Sequence, residues 1–350
     1  MFNNKGQYMK TYIKFILKKI IWICLHSVWL LPVNQKKIFF SSFYGRQYSC
    51  NPKYLYDYLV KSHLATRYKI VWELVPEKKD LLDESTIIVS GKIGKIIQCM
   101  TAKYVITNVE FPWYIPLRKK QILVQTWHGG GAYKKVGLAV QWGNIAHKEQ
   151  KLNSKQITYY LSSCRRFTEV QSLSKSVPSE HFLKSGMPRN TIFFSSHPEL
   201  KEKVFNSLKI QDLNTKLVLY APTYRGKPTF NASSDCADLT ENLDFNKLIT
   251  ALQNKFGGKW VCAYRSHYYN AKLQGKEPDS VVNATNYDDM QELLYVADVL
   301  ITDYSSSIWD FALTNKPMFL FASDYESYKC ERDFYTPVEE WPASLATLNK

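Results

Sequence analysis

The stretch Ala297-Asp298-Val299-Leu300-Ile301-Thr302-Asp303-Tyr304-Ser305-Ser306-Ser307-Ile308-Trp309-Asp310 carries an apolar run, Val299 to Ile301, that leads into three serines and a second apolar segment. A short continuous apolar run reads as a strand buried on both faces, and serine is a good helix N-cap. Strand, serine turn and helix in that order form part of a parallel βα unit. Backbone N–H groups at a helix start carry partial positive charge and serine hydroxyls add donors, so the turn suits a diphosphate. Capping alone would account for one serine of the three.

Outward from this block, β-branched and aromatic runs alternate with longer helical stretches, the signature of a parallel α/β sheet. Strands are expected at Lys37–Ser42, Tyr68–Leu74, Thr86–Val89, Tyr104–Thr107, Ile122–Gln125 and Tyr159–Ser162, with helices near Lys53–Ser62, Ile93–Met100 and Cys164–Ser172. A second series follows at Leu217–Ala221, Trp260–Tyr264, Ser280–Asn283, Val299–Thr302 and Met318–Phe321, with helices near Phe245–Lys255, Met290–Val296 and Ile308–Leu313. Two successive doubly wound halves imply a central cleft. The expected organisation is a helical segment over 1–33, a Rossmann-like domain over 34–200 and another over 201–350, with the polar stretch His197–Thr215 as the hinge. The run Gly226–Glu241, rich in small and polar residues, reads as a surface loop, either a lid or a solvated connection.

Three more blocks sit at strand ends, and the carboxyl ends of parallel strands face the ligand crevice. Gln125-Thr126-Trp127-His128-Gly129-Gly130-Gly131 aims His128 there, and its glycines let backbone approach a ligand. A solitary histidine is commonly structural, but the strand end and glycine triplet together favour a functional one. Tyr220-Ala221-Pro222-Thr223-Tyr224-Arg225 offers a hydroxyl and a planar cation, Thr223 and Arg225, to phosphate oxygens; the plainer reading is a turn set by Pro222 with a surface arginine. Arg265-Ser266-His267 would join Arg225 in an anion site if the strands preceding them are neighbours.

The 350 residues, 45% of them hydrophobic, supply core for two domains and exclude wholesale disorder. Lys and Arg outnumber Asp and Glu by 46 to 31, a net charge of +15 that calls for an acidic partner. No basic stripe with interleaved aromatics accompanies it, so nucleic acid is not the expected partner. Met1 to Tyr56 holds no Asp or Glu and contributes +9 of the total, which suits anionic lipid. There Lys10, Lys14 and Lys18 share a helical face while Ile13, Ile16, Leu17, Ile20 and Ile21 lie mostly elsewhere, the pattern of a helix lying in a membrane interface. A buried core helix and a secretory signal are the weaker readings, since no small-x-small cleavage site follows. The lysine-free run Ile20–Val33 has 14 residues, short of the roughly 20 that span a bilayer. Seven scattered cysteines with no C-x-x-C pair fit a reducing compartment and suggest no metal knot.

These blocks resemble the CDP-glycerol glycerophosphotransferase family, the teichoic-acid and capsule polymerases of bacterial surfaces. The resemblance runs from about Tyr104 to Tyr328 in five ordered blocks: QTWHGGGAYKKVG, KSGMPRN, YAPTYR, Arg265–His267 and ADVLITDYSSSIWDFALTNKPMFLFASDYESY. It implies two Rossmann-like domains of the GT-B type and peripheral attachment to the cytoplasmic face of the membrane. It also implies a CDP-polyol donor, CDP-glycerol first, held by the C-terminal domain, and a lipid-linked acceptor on the N-terminal side. His128 and His267 match the family's catalytic histidines, His128 as general base toward the acceptor hydroxyl. Thr223, Arg225, Arg265 and His267 match the diphosphate positions, and Ser305 and Ser306 the serine turn, with Gly129, Gly130, Asp303 and Asp310 as further substrate-side residues. Ribose contact and orientation of neighbours both stay open for the two aspartates. No cofactor and no metal are expected.

Departures from the family pattern are Gly130 where threonine is frequent, Tyr268 where proline follows the second histidine, and Thr191 where aspartate follows PRN. They leave the choice between glycerol and ribitol open. Family members usually continue into a final helix beyond the position of Lys350; a truncated C-terminus would explain the difference, and the sequence leaves that open. A GT-B glycosyltransferase using a nucleotide sugar, and a non-catalytic membrane scaffold of the same fold, are the alternatives.

Overall fold

Alternation of apolar strands with amphipathic helices builds two parallel sheets in a computed structural model that describes residues 2–140, 143–223, 243–265, 280–326, 328, 333–342 and 344–345. The chain divides into two compact units, Met1–His128 with Ala132–Arg189, and Gly129–Gly131 with Asn190–Lys350.

In the first unit the strands are β1 (Asn34–Ser41), β2 (Lys69–Glu73), β3 (Ile87–Val89), β4 (Ala102–Thr107), β5 (Ile122–Gln125), β6 (Tyr159–Leu161) and β7 (Phe182–Leu183). Their order is β3-β2-β1-β4-β5-β6-β7, with parallel pairing throughout. The chain steps outward from β1 to β3 and returns to the other side of β1 as β4, so the sheet reverses direction between β1 and β4. Outside the carboxyl ends of the strands at such a reversal lies the usual ligand crevice of an open α/β sheet. Around the sheet run α1 (Phe2–Leu25), α2 (Cys50–Lys61), α3 (Lys92–Met100), α4 (Asn144–Ser154) and α5 (Arg165–Lys175). Aromatic packing fills one core cluster, where Phe40 stacks on Trp72 at 5.3 Å and 11° and Tyr56 meets the same indole edge-on.

The second unit repeats the plan with β8 (Lys216–Ala221), β9 (Trp260–Tyr264), β10 (Val281–Asn283), β11 (Val299–Thr302), β12 (Met318–Leu320) and β13 (Ser344–Leu345) in the order β10-β9-β8-β11-β12-β13. Its reversal falls between β8 and β11. Every residue of β9 and β11 is buried, as the continuous apolar runs require. Helices α6 (Glu199–Ser207), α7 (Phe245–Phe256), α8 (Met290–Val296) and α9 (Ser307–Phe311) accompany it. The stretch read as a hinge, His197–Thr215, carries α6, anchored by buried Leu200, Val204 and Phe205. Polarity around those three apolar positions hid the helix, as it did α4. Burial pushes the thiol of Cys262 up to about 12, and that of Cys99 higher still, so both are inert packing residues.

Helix α1 is not a core element. Of its side chains from Met9 onward only Phe15 is buried, against Trp113 at 5.3 Å, while Lys18 pairs with Glu149 of α4 at 2.5 Å. Met9, Ile13, Leu17, Ile20 and Ile23 are exposed. Among the described residues no helix is long and apolar enough to cross a membrane.

Candidate functional site

Strand β5 delivers Thr126, Trp127 and His128 to the carboxyl-end rim of the first sheet. Trp127 has φ +54°, a left-handed backbone that a bulky residue adopts only when its surroundings impose it. Asn51, fully buried at the start of α2, supplies the constraint: its Nδ2 donates to the carbonyls of Thr126 at 2.9 Å and Trp127 at 3.0 Å, while its Oδ1 accepts from the Arg189 backbone N–H at 3.1 Å. The turn aims the imidazole of His128 at Asn108, whose backbone oxygen lies 2.7 Å from Nδ1. A carbonyl can only accept, so Nδ1 carries the proton and Nε2 keeps the lone pair. Burial pushes this histidine down to about 4, against a rise from the Asn108 bond, with Arg189 and Lys175 lowering it further. At neutral pH the ring is therefore an uncharged base.

Asn108, fully buried beyond the end of β4, also ties in β1: its Oδ1 accepts from Phe43 N–H at 2.9 Å and its Nδ2 donates to Ser42 Oγ at 3.3 Å. On the other side the Trp127 indole stacks on His128 at 4.5 Å, and the Lys175 ammonium sits 4.1 Å from the indole centroid while pairing with Glu110 at 2.5 Å. Asn51, Asn108, Glu110 and Lys175 were not singled out in the sequence. Asn108 carried a usable signal, a polar residue at a strand's carboxyl end; Lys175 is brought in only by the fold.

Gly129 and Gly130 are buried. Gly131 groups with the second unit, where a Cβ on it would stand 2.6 Å from Nε1 and 2.7 Å from Cδ1 of Trp309 on α9. The indole, not an unusual φ, demands glycine there.

The second unit gathers Thr223, Asp303, Ser305 and Ser306 after the ends of β8 and β11, with Asp310 on α9. Asp303, 1% exposed, accepts at Oδ1 from the Thr223 N–H at 2.8 Å and the Tyr304 N–H at 2.5 Å, fastening one turn to the other. Ser305 Oγ accepts from Ser307 N–H at 3.3 Å and Ser307 Oγ at 3.0 Å, while Ser305 and Ser306 are partly exposed. Asp310, 3% exposed, accepts from Asn190 Nδ2 at 2.9 Å and Gln291 Nε2 at 3.1 Å, so orientation of neighbours is the role its contacts support. Behind the turn Tyr304 stacks on Tyr328 at 4.0 Å.

Strands β8 and β9 are paired neighbours, the condition set for Arg225 and Arg265 to share an anion site. Arg265 donates its backbone N–H to Tyr220 O at 2.8 Å and Nη1 to Tyr287 O at 2.6 Å; burial pushes its guanidinium down to about 10, against the pull of Asp289 and Asp288, and it stays cationic at neutral pH. Arg225, Ser266 and His267, and the loop Gly226–Glu241, lie outside the described residues. Among the described residues no cluster of three or more His, Cys, Asp or Glu could hold a metal ion.

Two parallel α/β units, one with a neutral histidine at its strand ends and the other with a serine turn and an arginine at the ends of separate strands, have the architecture of a two-unit α/β transferase. The sequence model of the family described as CDP-Glycerol:Poly(glycerophosphate) glycerophosphotransferase matches residues 23–348, and the chain belongs to that family. It is 30% identical over 347 residues to a teichoic acid poly(glycerol phosphate) polymerase of Bacillus spizizenii, covering 93% of this chain and 84% of that one. A teichoic acid glycerol-phosphate transferase of Staphylococcus aureus is 28% identical over 93% of this chain and 84% of its own. Among solved structures, a variant of the wall teichoic acid polymerase TagF soaked with CDPG superimposes with a TM-score of 0.78 at 25% identity, over 99% of this chain and 86% of that chain.

Proposed function

We propose that this protein transfers a polyol phosphate, glycerol phosphate first, from a CDP-activated donor to a hydroxyl of a lipid-linked acceptor in teichoic acid or capsular polymer synthesis, and releases CMP. The acceptor oxygen forms a new bond to the phosphorus that bears the polyol. The bond from that phosphorus to the bridging oxygen breaks, and CMP leaves with the oxygen and its electron pair. The acceptor proton passes to Nε2 of His128. The observation that carries this reading is the Asn108 carbonyl 2.7 Å from His128 Nδ1, which presents Nε2 as the acceptor of a proton. A dianionic diphosphate beside the ring would raise its proton affinity from a pKa of about 4, strengthening the base as the complex forms.

On the donor side Thr223, Arg225, Arg265 and His267 hold the diphosphate, His267 as the second catalytic histidine, with Ser305 and Ser306 adding donors and Gly129 and Gly130 bordering the reacting groups. Asp303 sets the two turns, and Asp310 holds Asn190 and Gln291. The units act as Rossmann-like domains of the GT-B type, the first for acceptor and the second for donor. Peripheral attachment to the cytoplasmic face of a bacterial membrane is supported by the exposed apolar residues of α1 and by its lysines, Lys10, Lys14 and Lys19, a combination suited to an anionic interface.

The test incubates the full chain with CDP-glycerol, CDP-ribitol and UDP-sugars plus a lipid-linked acceptor and follows nucleotide release. CMP from a CDP-polyol is expected, lost in His128→Ala with nucleotide binding retained. UDP release would replace this reading with a glycosyltransferase, and no turnover with any donor would replace it with a scaffold.

A further inference from the structure

At the reversal of the first sheet, between β1 and β4, lies a cavity of about 50 Å³. On that measure a single water needs roughly 10–15 Å³ and a benzene-sized ligand about 150 Å³, so the space takes a few ligand atoms and the rest of a larger ligand lies outside it. Phe39, Ile96 and Phe111 give it an apolar wall, while the last residues of three strands, Ser41 of β1, Glu73 of β2 and Thr107 of β4, bring polar groups to its rim together with Lys95 of α3. Two carboxylates line it: Glu110, which is paired with Lys175, and Glu73, the more buried of the two. Glu73 is 8% exposed, with Oε2 accepting from the Ser41 hydroxyl at 2.8 Å and Oε1 from the Lys95 ammonium at 2.7 Å. Gly45, at φ +79°, closes over it: a Cβ there would stand 2.7 Å from Glu73 Cγ.

The cavity adjoins the histidine rim through bonded neighbours. Thr107 precedes Asn108, whose carbonyl holds His128. Tyr44, also in the lining, follows Phe43, whose N–H is on Asn108 Oδ1 and whose ring centre is 5.7 Å from that of His128.

We propose that this pocket seats one end of the acceptor's terminal polyol phosphate, with the remainder outside it, so that Glu73 and Lys95 select the incoming chain end. The inference rests on the transferase reading above. A polyol phosphate offers hydroxyl donors, an anion and C–H faces; the cavity answers with a buried carboxylate that accepts, a partly exposed ammonium that takes phosphate, and an apolar wall. A surface ion pair without a ligand would need neither the space beside it nor a position at the sheet reversal.

The experiment measures CMP release by the full chain with CDP-glycerol and a lipid-linked acceptor ending in glycerol phosphate, for the wild type, Glu73→Gln and Ile96→Trp. The first variant removes charge at nearly constant shape and the second fills the space. Both are expected to raise the acceptor KM at least tenfold, while the KM for CDP-glycerol and acceptor-independent CMP release stay within twofold. In the wild type, free glycerol 3-phosphate is expected to compete with the acceptor and not with CDP-glycerol. An unchanged acceptor KM in a folded variant, or competition only against the donor, overturns the proposal. Absence of CMP release by the wild type from any CDP-polyol overturns the transferase reading instead.

Discussion

The two sheet rims handle polar groups in opposite ways. On the first, a backbone carbonyl takes one nitrogen of His128, and burial together with the cations Arg189 and Lys175 disfavours a second proton on the ring. On the second, carboxylates are held by donors: Asp303 accepts backbone N–H groups from two turns, Asp310 accepts two side-chain amides, and Arg265 stays cationic despite burial. The same strand-end position thus yields a neutral imidazole in one unit and anchored carboxylates beside a buried cation in the other, depending on whether acceptors or donors supply the fixed partner.

The sharpest break of this contrast is at His128. Replacing it with alanine should cut turnover about 10²–10⁴-fold, the range of a positioned general base, while CDP-glycerol still binds the second unit. Stopped-assay CMP release and isothermal titration separate the two effects; equal loss of binding would show that the rims do not divide the work. Acidity tests the same group without mutation. The His128 ring protonates near 4 when folded and near 6.5 when unfolded, so the unfolded chain binds the extra proton between those values and stability rises with pH across that window. The gain is at most about 3 kcal/mol, and it should vanish from melts of His128→Asn. A general base acts only when deprotonated, so the proposed role of His128 places the acid limb of kcat/KM near pH 4; a limb near 6.5 would show that burial does not reach this ring.

Much of this contrast could be read in the sequence, and the part that could not has a common cause. Val299–Thr302 and Trp260–Tyr264 announced buried strands because apolar runs are local, and their downstream serines and arginine followed from the rule for strand ends. His128 stood out for the same reason. Its partners did not: Lys175 lies on α5 and reaches the rim only after β5, β6 and two helices are packed, and Asn51 looks like an ordinary helix-start residue until Trp127 is seen in a left-handed conformation. Helices α4 and α6 hid because few of their positions are apolar. On α1 the apolar residues and most lysines are exposed, and the inward contacts of Phe15 and Lys18 were added by the fold.

Effects of intermediate size test the donor rim. Asp303→Ala removes the acceptor for the N–H groups of Thr223 and Tyr304, which should cost about 2–3 kcal/mol in denaturant melts and weaken CDP-glycerol binding with it. Gly131→Ala pushes a methyl into the Trp309 indole, a rigid obstacle, and should cost about 1–3 kcal/mol. A shorter side chain at position 309, as in Trp309→Leu, should relieve most of that penalty in the double variant. Additive losses would show that the glycine serves something other than the indole.

Asp310 gives the smallest effect and the finest distinction. Its two oxygens accept from Asn190 and Gln291, so Asp310→Asn keeps the shape but turns one acceptor into a donor facing an amide donor. One of the two bonds is lost, at about 1–2 kcal/mol of stability. The partners are neutral amides, so no protein cation is left unpaired, and the KM for CDP-glycerol should rise no more than the loosened turn dictates, a few-fold. Were the carboxylate instead bound to the ribose hydroxyls, the same variant would leave the melt almost unchanged and raise the donor KM tenfold or more. Changing Asn190 to Asp in the Asp310→Asn background separates the cases further: it restores a donor–acceptor pair with the roles exchanged, and should recover the melting temperature only if the pair holds the turn.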